Sequence, residues 1–74
     1  GGFMEFADRI RKLRKEQHLT QAEFAKRVGL TTRGYQDMEL GTLPRYNSLL
    51  CIAEYYDVSL DWLTGRTEKR EINR

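Results

Sequence analysis

The chain is cut into short pieces by its own start and stop signals, and this punctuation limits it to a bundle of brief helices. Thr20-Gln21-Ala22-Glu23 is a capping-box sequence, in which the threonine hydroxyl caps an amide three residues on and the glutamate reaches back. Thr31 and Ser59 stand where two further N-caps belong. Gly29, Gly41 with Pro44, and Gly65 supply the stops. Between these marks apolar residues recur at helical spacing. Phe6, Ile10 and Leu13, with Gln17, form the inward row of a first helix from about Glu5 to Gln17. His18 follows at a position where the backbone often turns left-handed, which histidine tolerates better than most residues.

Phe24, Ala25 and Val28 give a short second helix its buried row, and Tyr35 and Met38 do so for a third. A fourth spans about Tyr46 to Tyr56 with Leu49, Ile52, Ala53 and Tyr56 on one face. The last turn carries Leu60, Trp62 and Leu63, with Trp62 either core or dimer contact. No stretch alternates with the period of a strand, and no internal repeat is visible. The expected fold is all-α, five helices in one domain over residues 4–65. Gly1-Gly2-Phe3 reads as an expression scar, and residues 66–74 read as a charged tail that frays.

With 74 residues the chain buries only ~60% of its unfolded surface, and a single cysteine allows no intrachain disulfide. Stability must come from well-packed helices, a partner subunit, or both. A charged fraction of 32% against 39% hydrophobic suits a globular domain. The lone cysteine fits a reducing, cytoplasmic setting. No apolar run approaches the ~18 residues of a membrane span, and no signal-peptide core is present. The net charge of +2 identifies no partner by itself. Residues 1–37 carry +3, however, and residues 38–74 carry −1, a bias that permits nucleic-acid binding.

Catalytic chemistry finds little to work with. One histidine and one cysteine cannot build a zinc cluster or a two-histidine metal motif, and no phosphate-cradling glycine loop occurs. Cys51 lies in the apolar run Leu49-Leu50-Cys51-Ile52-Ala53 and reads as an inert core thiol. Arg9, Arg11, Lys12 and Lys15 read as a solvated face of the first helix. The chain is expected to be no enzyme and to need no metal, cofactor or small-molecule substrate.

The stretch Gln21–Leu40 carries the informative spacing. Two short helices joined by a three- or four-residue turn cross steeply, and the crossing needs small residues; Ala25 and Gly29 supply them. With the flanking sequences Ile10-Arg11-Lys12-Leu13-Arg14, Leu49-Leu50-Cys51-Ile52-Ala53 and Val58-Ser59-Leu60-Asp61-Trp62-Leu63, this resembles the lambda-repressor/Cro-like helix-turn-helix family from about Phe6 to Gly65. The resemblance implies a sequence-specific regulator of bacterial or phage type, a repressor, binding double-stranded DNA at a palindromic operator as a homodimer joined near residues 58–65. It also implies base contacts from Thr32, Arg33, Gln36 and Asp37 on the third helix, phosphate contacts from Gln21, Thr31 and Arg45, and an Arg14–Glu39 pair that ties the third helix to the first. Arg33 and Asp37 are also i, i+4 partners that can pair with each other.

Two departures favour a rival reading. The loop Leu40-Gly41-Thr42-Leu43-Pro44 lacks the positive charge usual in the family, and Asp37 sits where the third helix should face DNA. The alternative keeps the fold as a protein-interaction module without specific DNA readout.

Overall fold

Three hydroxyl side chains open helices in the computed structural model, which describes residues 6–72. Thr20 Oγ1 accepts from Glu23 N at 3.1 Å while the Glu23 carboxylate accepts from Thr20 N at 2.8 Å, so the capping box closes. Thr31 Oγ1 accepts from Gly34 N at 3.0 Å, and Ser59 Oγ from Trp62 N at 3.2 Å. The resulting order is α1 (Phe6–Glu16), α2 (Gln21–Arg27), α3 (Thr32–Glu39), α4 (Tyr46–Tyr55) and α5 (Leu60–Leu63). The described residues contain no strand. Of the domain boundaries expected from the sequence, the scar at 1–3 and the first residues of the 4–65 unit lie outside the described residues, as do the last two of the tail.

Stops fall where backbone freedom is available. His18 turns left-handed after α1 with φ 56°, and Gly29 does so between α2 and α3 with φ 76°. Asp57 after α4 has φ 53°, a third such residue of a type that tolerates this region. Ile10, Leu13, Phe24, Tyr35, Ile52 and Leu63 are fully buried and form the centre of the core. Phe24 is its hinge pin, with its ring 4.8 Å from Tyr35 and stacked 5.2 Å from Tyr56. α2 packs most closely on α3, and α1 lies across both α3 and α5.

Four expectations need correction, the first being Gln17, which lies exposed beyond the end of α1 and not in its inward row. Arg9 is not on a solvated face but only 1% exposed. Its Nη1 donates to Trp62 O and Thr67 O, each at 2.6 Å, and its Nη2 to Glu68 Oε1 at 2.9 Å. Residues 67–70 are therefore packed against the domain and not frayed: carbonyls on both sides of Gly65 solvate the buried cation. Arg70 grips Glu16 with two bonds of 2.6 and 2.8 Å, and its own carbonyl accepts from Ser59 N at 2.8 Å. Trp62, 4% exposed, has the Arg9 and Arg70 guanidiniums over its ring, each 5.1 Å from the centroid. Cys51, finally, is exposed and not a core thiol. Ile52 and Ala53 take the inward positions of α4, which rotates the preceding residue outward.

Candidate nucleic-acid interface

α3 divides its eight residues between two duties. Tyr35, Met38 and Glu39 point inward, while Thr32, Arg33 and Gln36 are exposed and Asp37 is half-buried. Among the described residues no ion pair joins Arg33 to Asp37, so Arg33 is not consumed by its neighbour. Gly34 sits in the first turn, where an added Cβ would lie 3.0 Å from Thr31 Oγ1. That residue thus leaves room for the cap of its own helix, a need internal to the chain.

Glu39 is the anchor of the helix. This side chain is 6% exposed and receives donors from three directions. Arg14 reaches it with Nε on Oε2 at 2.6 Å and Nη2 on Oε1 at 3.2 Å, the two-pronged geometry that a guanidinium offers a carboxylate. Tyr35 donates its hydroxyl to Oε2, and Gln21 Nε2 donates to Oε1 at 3.0 Å. Burial alone would raise the Glu39 carboxyl, but the bonds from Arg14, Tyr35 and Gln21 outweigh it and bring it down to about 2. Burial, with the carboxylate beside it, holds the Tyr35 hydroxyl well above its usual range. Glu39 is thus held as an anion well below the ordinary carboxylate range.

The sequence reading missed a second arginine here. Arg11 Nη2 donates to Glu39 O at 2.9 Å and its Nε lies 3.6 Å from Glu39 Oε1. α3 has no basic residue in its own last turn, so Arg11 serves from α1 as the cation that its carbonyl end favours. The signal was present, since Arg11 and Arg14 are three apart and share a helix face.

The residues expected at phosphates are placed differently from one another. Gln21 opens α2 and is half-buried in the Glu39 network; its Oε1 accepts from Gln36 Nε2 at 3.2 Å. Thr31 is exposed with its hydroxyl engaged as a cap. Arg45 is exposed at the N-cap position of α4 and makes no capping bond. Between α3 and α4 the uncharged loop holds Leu40 at 84% and Leu43 at 65% exposure. One end of the molecule therefore gathers Gln21, Gln36 and Glu39 into a single chain of hydrogen bonds, with Thr32 and Arg33 outside it.

Comparisons with known proteins agree with this architecture. A helix-turn-helix family profile matches residues 10–63. The chain is 41% identical over 59 residues to the uncharacterized HTH-type transcriptional regulator YqaE of Bacillus subtilis (strain 168), covering 78% of this chain and 51% of that protein. It is 33% identical over 64 residues to YobD of the same strain, which carries the same description, covering 85% and 57%. It is 34% identical over 64 residues to the cryptic phage CTXphi transcriptional repressor RstR of Vibrio cholerae serotype O1 (strain ATCC 39315 / El Tor Inaba N16961), again covering 85% and 57%. The chain thus spans about half the length of the curated relatives it matches. No solved structure matches it significantly. Five helices, a capped α2–α3 pair braced by Arg14 and Glu39, and the match over residues 10–63 make the chain a member of the lambda-repressor/Cro-type helix-turn-helix family of transcriptional regulators.

Proposed function

We propose that this domain is a sequence-specific, double-stranded DNA-binding repressor that acts without catalysis in the cytoplasm. α3 enters the major groove, where Thr32, Arg33, Gln36 and Asp37 meet base edges. Gln21, Thr31 and Arg45 meet phosphates. The observation that carries this reading is the contrast on α3. Its buried side is locked to α1 through Glu39, while Arg33 on its outer side has no ion-pair partner among the described residues. A rigid helix with an uncommitted guanidinium suits bidentate recognition of guanine O6 and N7. RstR, named as a phage transcriptional repressor, supports the repressor assignment. Two copies bind a palindrome, meeting through residues 58–65. Val58, Trp62 and Leu63 are buried there, so the contact uses Leu60, Asp61 and the turn at Thr64-Gly65.

Arg33→Ala is expected to cost ~1–3 kcal/mol in operator binding and to relax preference at one base pair per half-site. Gln21→Ala and Arg45→Ala weaken binding to all sequences. Arg45→Ala also flattens the salt slope, by roughly 0.9 for the phosphate no longer neutralised, whereas Gln21 carries no charge and its loss leaves the slope unchanged. The exposed Leu40 and Leu43 favour the second reading, a protein-interaction module. Duplex binding without salt dependence would select that reading over the first.

A further inference from the structure

The hydrogen-bond chain beneath α3 determines what one exposed residue offers to solvent. Glu39 is ionised and buried, so its oxygens only accept. Gln21 must therefore turn its NH2 towards it, as the 3.0 Å bond from Nε2 shows. A reversed amide would set a carbonyl oxygen against a carboxylate. Gln21 Oε1 is left pointing the other way, where it accepts from Gln36 Nε2 at 3.2 Å. Gln36 has committed one N–H to this bond. Its exposed edge keeps the carbonyl oxygen and the second N–H, an acceptor beside a donor.

Adenine presents the complement in the major groove, an N6 amine beside the N7 acceptor; guanine presents two acceptors, N7 and O6. A relay of opposite polarity, with Gln21 donating to Gln36, would leave Gln36 both N–H groups and suit guanine. We propose that Glu39 is a positioning residue for DNA readout, which through Gln21 sets the amide of Gln36 to select adenine over guanine. The proposal rests on the reading of α3 as the groove helix. It divides the work of that helix: Arg33, with donors only, takes guanine, and Gln36 takes adenine one turn later.

The test is competitive duplex binding on operators isolated from a random pool. Gln36→Ala identifies the base pair that Gln36 reads, by the loss of preference there. At that pair the unaltered protein is expected to prefer adenine over guanine by about 5- to 150-fold, the range of one bidentate contact. Replacing that adenine with 7-deazaadenine, which lacks the N7 acceptor, should remove most of the preference. Glu39→Gln allows the relay to reverse, and the adenine–guanine ratio should fall towards one. Gln21→Ala cuts the relay without leaving Arg14 unpaired, so it gives the same readout even where Glu39→Gln fails to fold. Both ratios should stay unchanged when either substitution is added to Gln36→Ala. A preference for guanine at the pair, or an adenine–guanine ratio that survives Gln21→Ala, overturns the relay and leaves the groove reading standing. If neither Gln36→Ala nor Arg33→Ala alters preference at any pair, the groove reading itself fails and the relay with it.

Discussion

Replacing Arg9 by methionine tests whether the buried cation is a net stabiliser. Methionine keeps a long unbranched stem against Trp62 but removes the guanidinium. The partners left behind are unequal. Glu68 is 77% exposed and simply returns to water, so that ion pair is worth no more than ~1 kcal/mol. Trp62 O and Thr67 O, each bonded at 2.6 Å, lose a charged donor, at ~1.5–3 kcal/mol apiece in favourable cases. Opposing this, methionine avoids the several kcal/mol needed to desolvate a cation. Among the described residues no buried charge is orphaned, so the loss stays below the ~3–5 kcal/mol of a broken buried ion pair. The expected cost is ~1–3 kcal/mol, or roughly 5–20 °C in Tm for a domain of this size. Arg9→Lys, which supplies a point charge without the planar fork, should fall between the two. Glu68→Ala should change stability by less than about 0.5 kcal/mol. Urea unfolding followed by circular dichroism and by the fluorescence of Trp62, the chain's one tryptophan, measures all three. If Glu68→Ala costs as much as Arg9→Met, or Arg9→Met is stabilising, the carbonyl clasp does not hold the tail.

Two tyrosines give a paired control. Tyr35→Phe removes the donor to Glu39 and should destabilise by ~1–2 kcal/mol in the same urea assay. Tyr56→Phe removes a buried hydroxyl with no hydrogen-bond partner among the described residues, and should be neutral or stabilising by up to ~1 kcal/mol. Glu39 adds an acid-sensitive contribution. Its carboxyl is depressed to about 2 in the fold against an ordinary 4.5, so the unfolded chain takes up the proton first. Stability from this group is complete above about pH 5 and is lost as pH falls from 4.5 towards 2; Glu39→Gln should flatten that part of a Tm-against-pH curve. Gly34→Ala gains helix propensity of up to ~1 kcal/mol but crowds the Thr31 hydroxyl, so denaturation should show a net change near zero, and the gain should emerge in full beside Thr31→Gly.

Local signals made the helix pattern readable. Thr20, Thr31 and Ser59 cap by bonds that span three residues, and His18 and Gly29 turn on their own conformational preferences, so each could be read within a short window. Arg14 and Glu39, which the structure joins, came from a resemblance and not from the window. The failures were long-range. Arg9 stands three residues after Phe6 and four before Leu13, squarely on the apolar row, yet its charge argued for solvent. Among the described residues, the carbonyls of 62 and 67 and the Glu68 carboxylate receive it, and nothing near Arg9 announces them. The same blindness made residues 66–72 look like a loose tail. Cys51 failed for a different reason: a continuous apolar run on a helix must wrap around it, so burial habit alone could not say which member faces out. The Gln21–Gln36 bond also escaped, because two amides fifteen residues apart carry no sign that they will meet.

The Arg9 clasp has a kinetic side. Its bonds join residues 53 to 59 positions apart, and the Arg70–Glu16 pair spans 54, so closing it encircles nearly the whole chain. By loop-closure entropy such a contact costs ~1 kcal/mol more than one spanning about 15 residues. The α2–α3 pair, whose ends are near neighbours in sequence, should therefore condense before the clasp shuts. Opening runs in reverse. The Ser59 amide, held by Arg70 O across that closure, should exchange its proton through a partial opening that spares the amides of Phe24 and Tyr35. The α2–α3 half of the domain should thus stay assembled while α1 and the segment 66–70 part and rejoin.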